Sequence, residues 1–396
     1  MRPSELSGQS LAGLRSCLDF DSSKEAVAKR FLELGIPGNK TEQYRHFSVK
    51  PLLADDYTLA APEQPKPPLK EKILEIRDGV VTAVPEDVNV SFQTGFEPDI
   101  THFDALYHLS HLLSPHCIVL SIENDIDLTI VHRLERQNTL IPCRIVIRTA
   151  PECRATVYES FENAGSGGSL LLYGLDVHVG EAGALTWIRN QSAGENDAAV
   201  IGSHRYDVGS RAEMTLQTFD FGSGIALHLY KNDLSDHTVA MLSHLLFASG
   251  RAHRGNVVNL RHNGISAKSV HLAKSILKEN AAGIFDGRIR VGHGARYAAA
   301  RQNSKAILLN DNAFMEAKPQ LEIYTDELEA SHGATTGQLD EAALFYLRSR
   351  GIGLEEARKM LILAFANEMI EEVEDEKAAE AIRSAFESAY YQKEIS

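Results

Sequence analysis

The stretch Lys318-Pro319-Gln320-Leu321-Glu322-Ile323-Tyr324, together with the run Glu329-Ala330-Ser331-His332-Gly333-Ala334-Thr335-Thr336-Gly337-Gln338-Leu339-Asp340 that follows it, decides how this chain is read. The first part alternates. Leu321 and Ile323 fall on one face of a period-2 strand, and Gln320, Glu322 and Tyr324 fall on the other. In the second part an imidazole, His332, stands among small residues, and Ser331, Gly333 and Ala334 let the backbone beside it approach another surface closely. Asp340 has the character of a helix N-cap, and an amphipathic run begins at Leu344-Phe345-Tyr346-Leu347-Arg348. His332 is therefore expected at the end of a β region, where strand gives way to helix.

Upstream of this stretch, short β-like runs separated by Gly, Asn, Asp or Ser recur from about residue 72 onward. Examples are Arg144 to Arg148, Ala155 to Phe161, Leu175 to Val179, Ala184 to Ile188, Ala212 to Phe219, Gly255 to Leu260, Gly287 to Val291 and Lys305 to Leu309. One helix is expected at Phe103 to Leu113. This spacing suits a sandwich, a barrel or a solenoid. No strict repeat is visible, which counts against a solenoid on texture alone.

The two ends read as helical. In residues 1–55, Ala26, Val27, Phe31 and Leu32 fall at helical spacing and Gly35 stops that helix. The segment Ala61-Pro62-Glu63-Gln64-Pro65-Lys66-Pro67-Pro68 is incompatible with a regular helix or a central strand, because proline lacks a donor N–H and restricts the residue before it. Beyond Asp340, Leu354, Ala357, Met360, Leu361, Ala364 and Phe365 form one apolar stripe, and Ile382, Phe386 and Tyr390 form another. The acidic stretch Glu371 to Glu376 between them reads as a solvated turn or helix end. The expected organisation is an N-terminal helical region with its Pro-rich linker over 1–70, a β core over 71–337 and a C-terminal helical region over 338–396.

Composition excludes several function classes. At 396 residues the chain exceeds a single compact core. A net charge of -14, from 40 basic and 54 acidic residues, argues against a general nucleic-acid binder, whose affinity comes from neutralising phosphates. The N-terminal residues lack the apolar core of a signal peptide, and the apolar stretch Met360 to Ala366 is too short to span a bilayer, so a soluble, cytoplasmic protein without membrane contact is expected.

Motifs of enzyme chemistry are missing. Gly165-Ser166-Gly167-Gly168-Ser169 lacks the lysine and hydroxyl of a phosphate loop and reads as a turn. Neither H-E-x-x-H nor G-x-S-x-G occurs. Cys17, Cys117, Cys143 and Cys153 show no metal spacing and are expected as buried thiols. His244, His253, His262 and His271 fall nine residues apart; on one continuous strand that odd spacing would turn successive members to opposite faces.

The tract from Gly287 through Gly351 resembles the SufB/SufD family of iron–sulfur cluster assembly proteins. The residues that carry the resemblance are Gln302-Asn303, Ala306 to Leu309, Lys318 to Tyr324, Ser331-His332-Gly333-Ala334-Thr335 and Phe345 to Ile352. Thr41-Glu42-Gln43-Tyr44-Arg45-His46-Phe47 resembles the aromatic-basic motif that closes the family's N-terminal helical region, whereas residues 85–240 match only in texture. The form of the His332 segment is most like SufD. The resemblance implies a mainly β fold: a right-handed parallel β-helix flanked by N-terminal and C-terminal helical regions. It also implies pairing with a SufB subunit through the β-helix and docking of the ATPase SufC on the C-terminal helical region.

By the same resemblance, His332, with Ser331 and Gly333 beside it, would face SufB, where a nascent iron–sulfur cluster forms between a partner cysteine and this imidazole. A neutral imidazole is a suitable ligand for iron at neutral pH, so His332 is the transient metal ligand expected here. Many SufD sequences carry a cysteine two residues before this histidine, where this chain has Ala330, so the remaining cluster ligands would have to come from SufB. Leu354, Ala357, Met360, Leu361 and Phe365 are the candidates for SufC contact, and Phe345, Tyr346 and Leu347 for capping the end of the β-helix. The expectation is a non-catalytic scaffold with no cofactor stably bound by this chain alone. The alternatives are a SufB-like homodimeric scaffold and a β-helix polysaccharide-active enzyme.

Overall fold

The computed structural model describes residues 1–60, 69–94 and 98–391; the Pro-rich stretch expected as a linker lies outside them. The chain between the helical ends winds into a parallel β-helix of about 8 turns. Successive strands join two sheets in alternation, so each strand stacks on the one two places ahead of it. The 10-stranded sheet ends on Phe314–Ile323 and the 11-stranded sheet ends on Leu328–Gly337.

The repeat that the sequence conceals is structural. Stacked partners are 26 residues apart at Val200 and Ala226 but 32 apart at Ala282 and Phe314, because the turns differ in length while most strands stay ten residues long. A variable turn erases sequence periodicity without disturbing the ladder. Each strand alternates inward and outward: Leu171, Tyr173, Leu175, Val177 and Val179 fill the interior, while Leu170 and Leu172 point outward beneath the N-terminal helices. Covered on both faces, Leu170–Val179 is buried almost throughout, which is why such strands read as apolar runs.

The helical ends clothe opposite sheets. Leu14, Val27, Ala28 and Phe31 pack on Leu170, Leu172, Ile201 and Leu229 of the 10-stranded sheet. Ile362, Ala366, Ile382 and Phe386 pack on Phe219, Phe221, Leu245 and Phe247 of the 11-stranded sheet. Gly35, at φ 67°, ends Glu25–Leu34, and the expected internal helix spans Ala105–Leu113. Asp340 caps Glu341–Ser349 by accepting from the Ala342 and Ala343 N–H groups at 2.8 and 3.2 Å. The acidic stretch forms the turn before Glu376–Tyr391, where Asp375 accepts from the Ala378 N–H at 2.9 Å. No helix among the described residues is long and apolar enough to cross a membrane.

Two expectations are corrected. Phe345 and Tyr346 do not cap the β-helix: they are 74% and 55% exposed, and Leu344 is the buried residue. Helical geometry turns positions 344 and 347 to one side and 345 and 346 away from it, and the helix docks by the former. Cys17 is exposed on Leu11–Leu18, whereas Cys117, Cys143 and Cys153 are buried thiols as expected. Burial pushes the Cys117 and Cys143 thiols up to about 12.

Candidate functional site

His332 lies on Leu328–Gly337, the edge strand of the 11-stranded sheet. Its in-register neighbour is Gln302, just as Ala300 neighbours Ala330 and Ser304 neighbours Ala334. Partners in a parallel ladder carry their side chains on the same face. Gln302, Ala300 and Ser304 are all buried inward, so His332 occupies the interior-facing side of a rung on which nothing stacks among the described residues. Ser331 and Gly333 share the strand but alternate to the outer face, in line with Arg301 and Asn303. All three expected site residues are exposed. The neighbouring edge strand adds an exposed Phe314 and Ile323, and Tyr324 just beyond it is exposed as well.

Below His332 runs a file of buried polar side chains whose members His244, His271 and Gln302 the sequence had singled out but whose stacking it did not show. Gln302 Nε2 donates to His271 Nδ1 at 3.1 Å. The His271 ring packs edge-on against His244 at 5.1 Å, and His244 Nδ1 shares a 2.6 Å hydrogen bond with the Thr218 hydroxyl. Burial pushes His271 down to about 3, so it is a neutral imidazole at physiological pH. Of the histidines spaced nine apart, only His244 and His271 meet. His253 faces outward against Phe47, and His262 bonds the Ala267 carbonyl and the Ser269 hydroxyl.

Deeper in the interior, charged groups are held in hydrogen bonds. Arg189 reaches His228 Nδ1 at 3.0 Å and the Tyr230 hydroxyl. The Glu159 carboxylate accepts from His132 Nε2 and Trp187 Nε1, each at 3.0 Å, and from the Tyr173 hydroxyl. Burial alone would raise Glu159, but the His132 bond, the His132 and Arg189 charges and the Tyr173 bond hold it below the usual carboxylate range. Glycines make room for these groups: a Cβ at Gly202 would overlap the rings of His204 and His228.

A second polar cluster lies on the outer face of the 10-stranded sheet, beneath Ala105–Leu113. Arg144 pairs with Asp176 and sits 4.5 Å over the Tyr107 ring, whose hydroxyl donates to Asp176 at 2.6 Å. The motif at 41–47 fastens the N-terminal region to the same face. The Tyr44 hydroxyl donates to Asp104 at 2.7 Å, Phe47 meets His253 edge-on at 5.7 Å, and Glu42 pairs with Arg288 and Lys318. These roles are structural, and the motif's aromatic residues were the one signal of them in the sequence.

The candidates for partner docking divide. Leu354 and Met360 are exposed and Leu361 is half-buried, whereas Ala357 is fully buried against the chain's own body. Phe365 is half-buried beneath Lys274, whose Nζ lies 4.4 Å from the ring centroid. No group of three or more His, Cys, Asp or Glu that could hold a metal occurs among the described residues. His332 offers a single nitrogen ligand.

The family model described as SUF system FeS cluster assembly, SufBD core domain, matches residues 132–365, more than half of the chain. The chain is 40% identical over 117 residues to the iron–sulfur cluster assembly protein SufD of Escherichia coli, an alignment that covers 30% of this chain and 28% of that protein. It is 30% identical over 201 residues to an iron–sulfur cluster assembly SufBD family protein of Synechocystis, covering 50% and 44% of the two chains. It is 29% identical over 178 residues to SufD of Bacillus subtilis, covering 45% and 40%. Each alignment takes in less than half of the relative's length.

Proposed function

The chain belongs to the SufBD family of iron–sulfur cluster assembly proteins, and we propose that it serves there as a non-catalytic scaffold subunit. In this reading it pairs with a SufB-like subunit through the open end of its β-helix and docks a SufC-like ATPase on its C-terminal helices. The observation that carries the reading is His332, an exposed imidazole on the interior-facing side of an edge strand whose outer edge has no partner among the described residues. An edge strand offers a row of free backbone donors and acceptors to another chain. The imidazole then supplies one ligand to a nascent cluster, which is cargo here, while a partner supplies the others. Exposed Phe314, Ile323 and Tyr324 beside the strand are suited to burial at the same contact.

On the C-terminal side, Leu354 and Met360 are the exposed apolar residues available to an ATPase partner, with Phe345 and Tyr346 on the preceding helix. Ala357, being buried, supports the helix rather than the contact.

The test is co-purification of the tagged chain expressed with its candidate SufB-like and SufC-like partners, assaying iron, labile sulfide and ATPase activity in the eluted complex. The expected result is a stable complex whose cluster yield falls when this chain is omitted or carries His332→Ala. Failure to bind either partner would overturn the scaffold reading, whereas an intact complex with unchanged yield from His332→Ala would remove only the ligand role. The mass of the chain alone separates a homodimer from a subunit that needs its partners.

A further inference from the structure

Three observations converge on Gln302. It is 3% exposed and lies in the rung beneath His332, on the same interior-facing side. Its Nε2 donates to His271 Nδ1, which sets the rotation of the amide and leaves Oε1 with no hydrogen-bond partner among the described residues. A buried acceptor left without a donor is destabilising, so a donor from the adjoining rung is favoured. Finally, Gly287 opens a slot for this amide from the opposite sheet: a Cβ there would overlap Nε2 of Gln302 and lie 3.0 Å from its Cδ.

The group that sets the amide is itself fixed. His271 packs edge-on against Phe285 at 4.9 Å and against His244 at 5.1 Å. With the Gln302 amide nitrogen placed against it, His271 Nδ1 is the acceptor of the pair, its proton is on Nε2, which has no hydrogen-bond partner among the described residues, and the amide oxygen is the end of Gln302 left free.

We propose that Gln302 is the positioning residue for His332: its Oε1 accepts the imidazole N–H and holds the other ring nitrogen unprotonated toward the interface. Metal-binding histidines depend on such a partner, which fixes tautomer and ring orientation, and its loss typically lowers metal affinity about 10- to 100-fold. The consequence for cluster assembly rests on the proposed ligand role of His332; the control of its tautomer does not.

The test uses the full chain with 15N-labelled histidines at pH 8, where imidazole is neutral. The His332 ring resonances are identified by their absence in His332→Gln. In the wild type they are expected as one protonated and one bare nitrogen, a single tautomer. Gln302→Leu is expected to average them toward the values of a free imidazole and to lower cluster yield in the partner complex about 10-fold. His271→Phe, which removes the acceptor that orients the amide, is expected to average them as well. His271→Asn, whose Oδ1 stands near the place of Nδ1, is expected to retain the single tautomer. Should Gln302→Leu fail to fold, the two His271 variants decide the matter. Averaged resonances in the wild type, or no change in Gln302→Leu and His271→Phe, would overturn the proposal. If His332→Ala leaves cluster yield unchanged while Gln302→Leu still frees the tautomer, the ligand reading fails and the positioning role stands.

Discussion

Gly287 and Gln302 share one corner of the β-helix interior: a side chain at 287 would overlap the Gln302 amide and come within 2.9 Å of the Phe285 ring. Gly287→Ala therefore overpacks a filled interior, with an expected cost of about 1–3 kcal/mol. Urea unfolding of the two proteins checks this. A loss below about 0.5 kcal/mol, the usual size of a neutral surface change, would show that the corner has slack.

The buried histidines make stability pH-dependent in a defined direction. Burial holds His271 at about 3 and His108, His111 and His262 at about 4, all below the unfolded value near 6.5. The unfolded chain therefore binds more protons through this window, and stability must fall as pH drops from about 6.5 toward 4. Each such group contributes up to about 1.4 kcal/mol per pH unit. Urea midpoints at several pH values test the slope, and His271→Asn is expected to flatten it by about one group. A slope that did not change would mean that His271 is protonated in the folded protein.

Arg144 and Asp176 form a buried pair beneath Ala105–Leu113. Arg144→Ala strands the carboxylate and is expected to cost about 3–5 kcal/mol. Replacing both residues, as Arg144→Met with Asp176→Leu, removes the stranded charge and should lose clearly less. Comparable losses in the single and double variants would show that packing, rather than charge, accounts for the site's contribution.

Phe386 joins the last helix to the solenoid, meeting Phe221 at 5.4 Å and Phe247 at 5.6 Å. Phe386→Ala is expected to cost about 3–5 kcal/mol, felt first where the C-terminal helices dock. Amide exchange should then accelerate across Leu354–Ile370 and Glu376–Tyr391 while the core strands stay protected. Uniform acceleration through the strands would mean that the helices and solenoid unfold as one unit.

His332→Ala, by contrast, removes an exposed side chain on an edge strand and is expected to change stability by less than about 0.5 kcal/mol. Thermal or urea unfolding of the isolated chain checks this. A larger loss would assign His332 a place in the fold itself.

Much of this protein was legible in its residues. Alternation at Leu321 and Ile323, the Asp340 cap, the Gly35 stop and the Ile382, Phe386 and Tyr390 stripe follow from local rules, because strand pleat, helix pitch and capping act over a few neighbouring positions. The strand alternation before it and the helix cap at Asp340 after it placed His332 at the end of a β region, where the structure also has it. The solenoid was hidden from texture because stacked partners such as Ala282 and Phe314 are separated by turns of unequal length.

Tertiary structure alone decided the rest. Whether Ala357 or Met360 meets solvent depends on how far the helix Leu354–Ile370 is rotated against the sheet beneath it, and that is set by Phe219, Leu245 and Phe247, more than a hundred residues away. That His271, Gln302 and His332 form one file depends on registers of about 30 residues between rungs. Ladder stacking brings residues distant in sequence onto one face, and no local propensity encodes which ones meet.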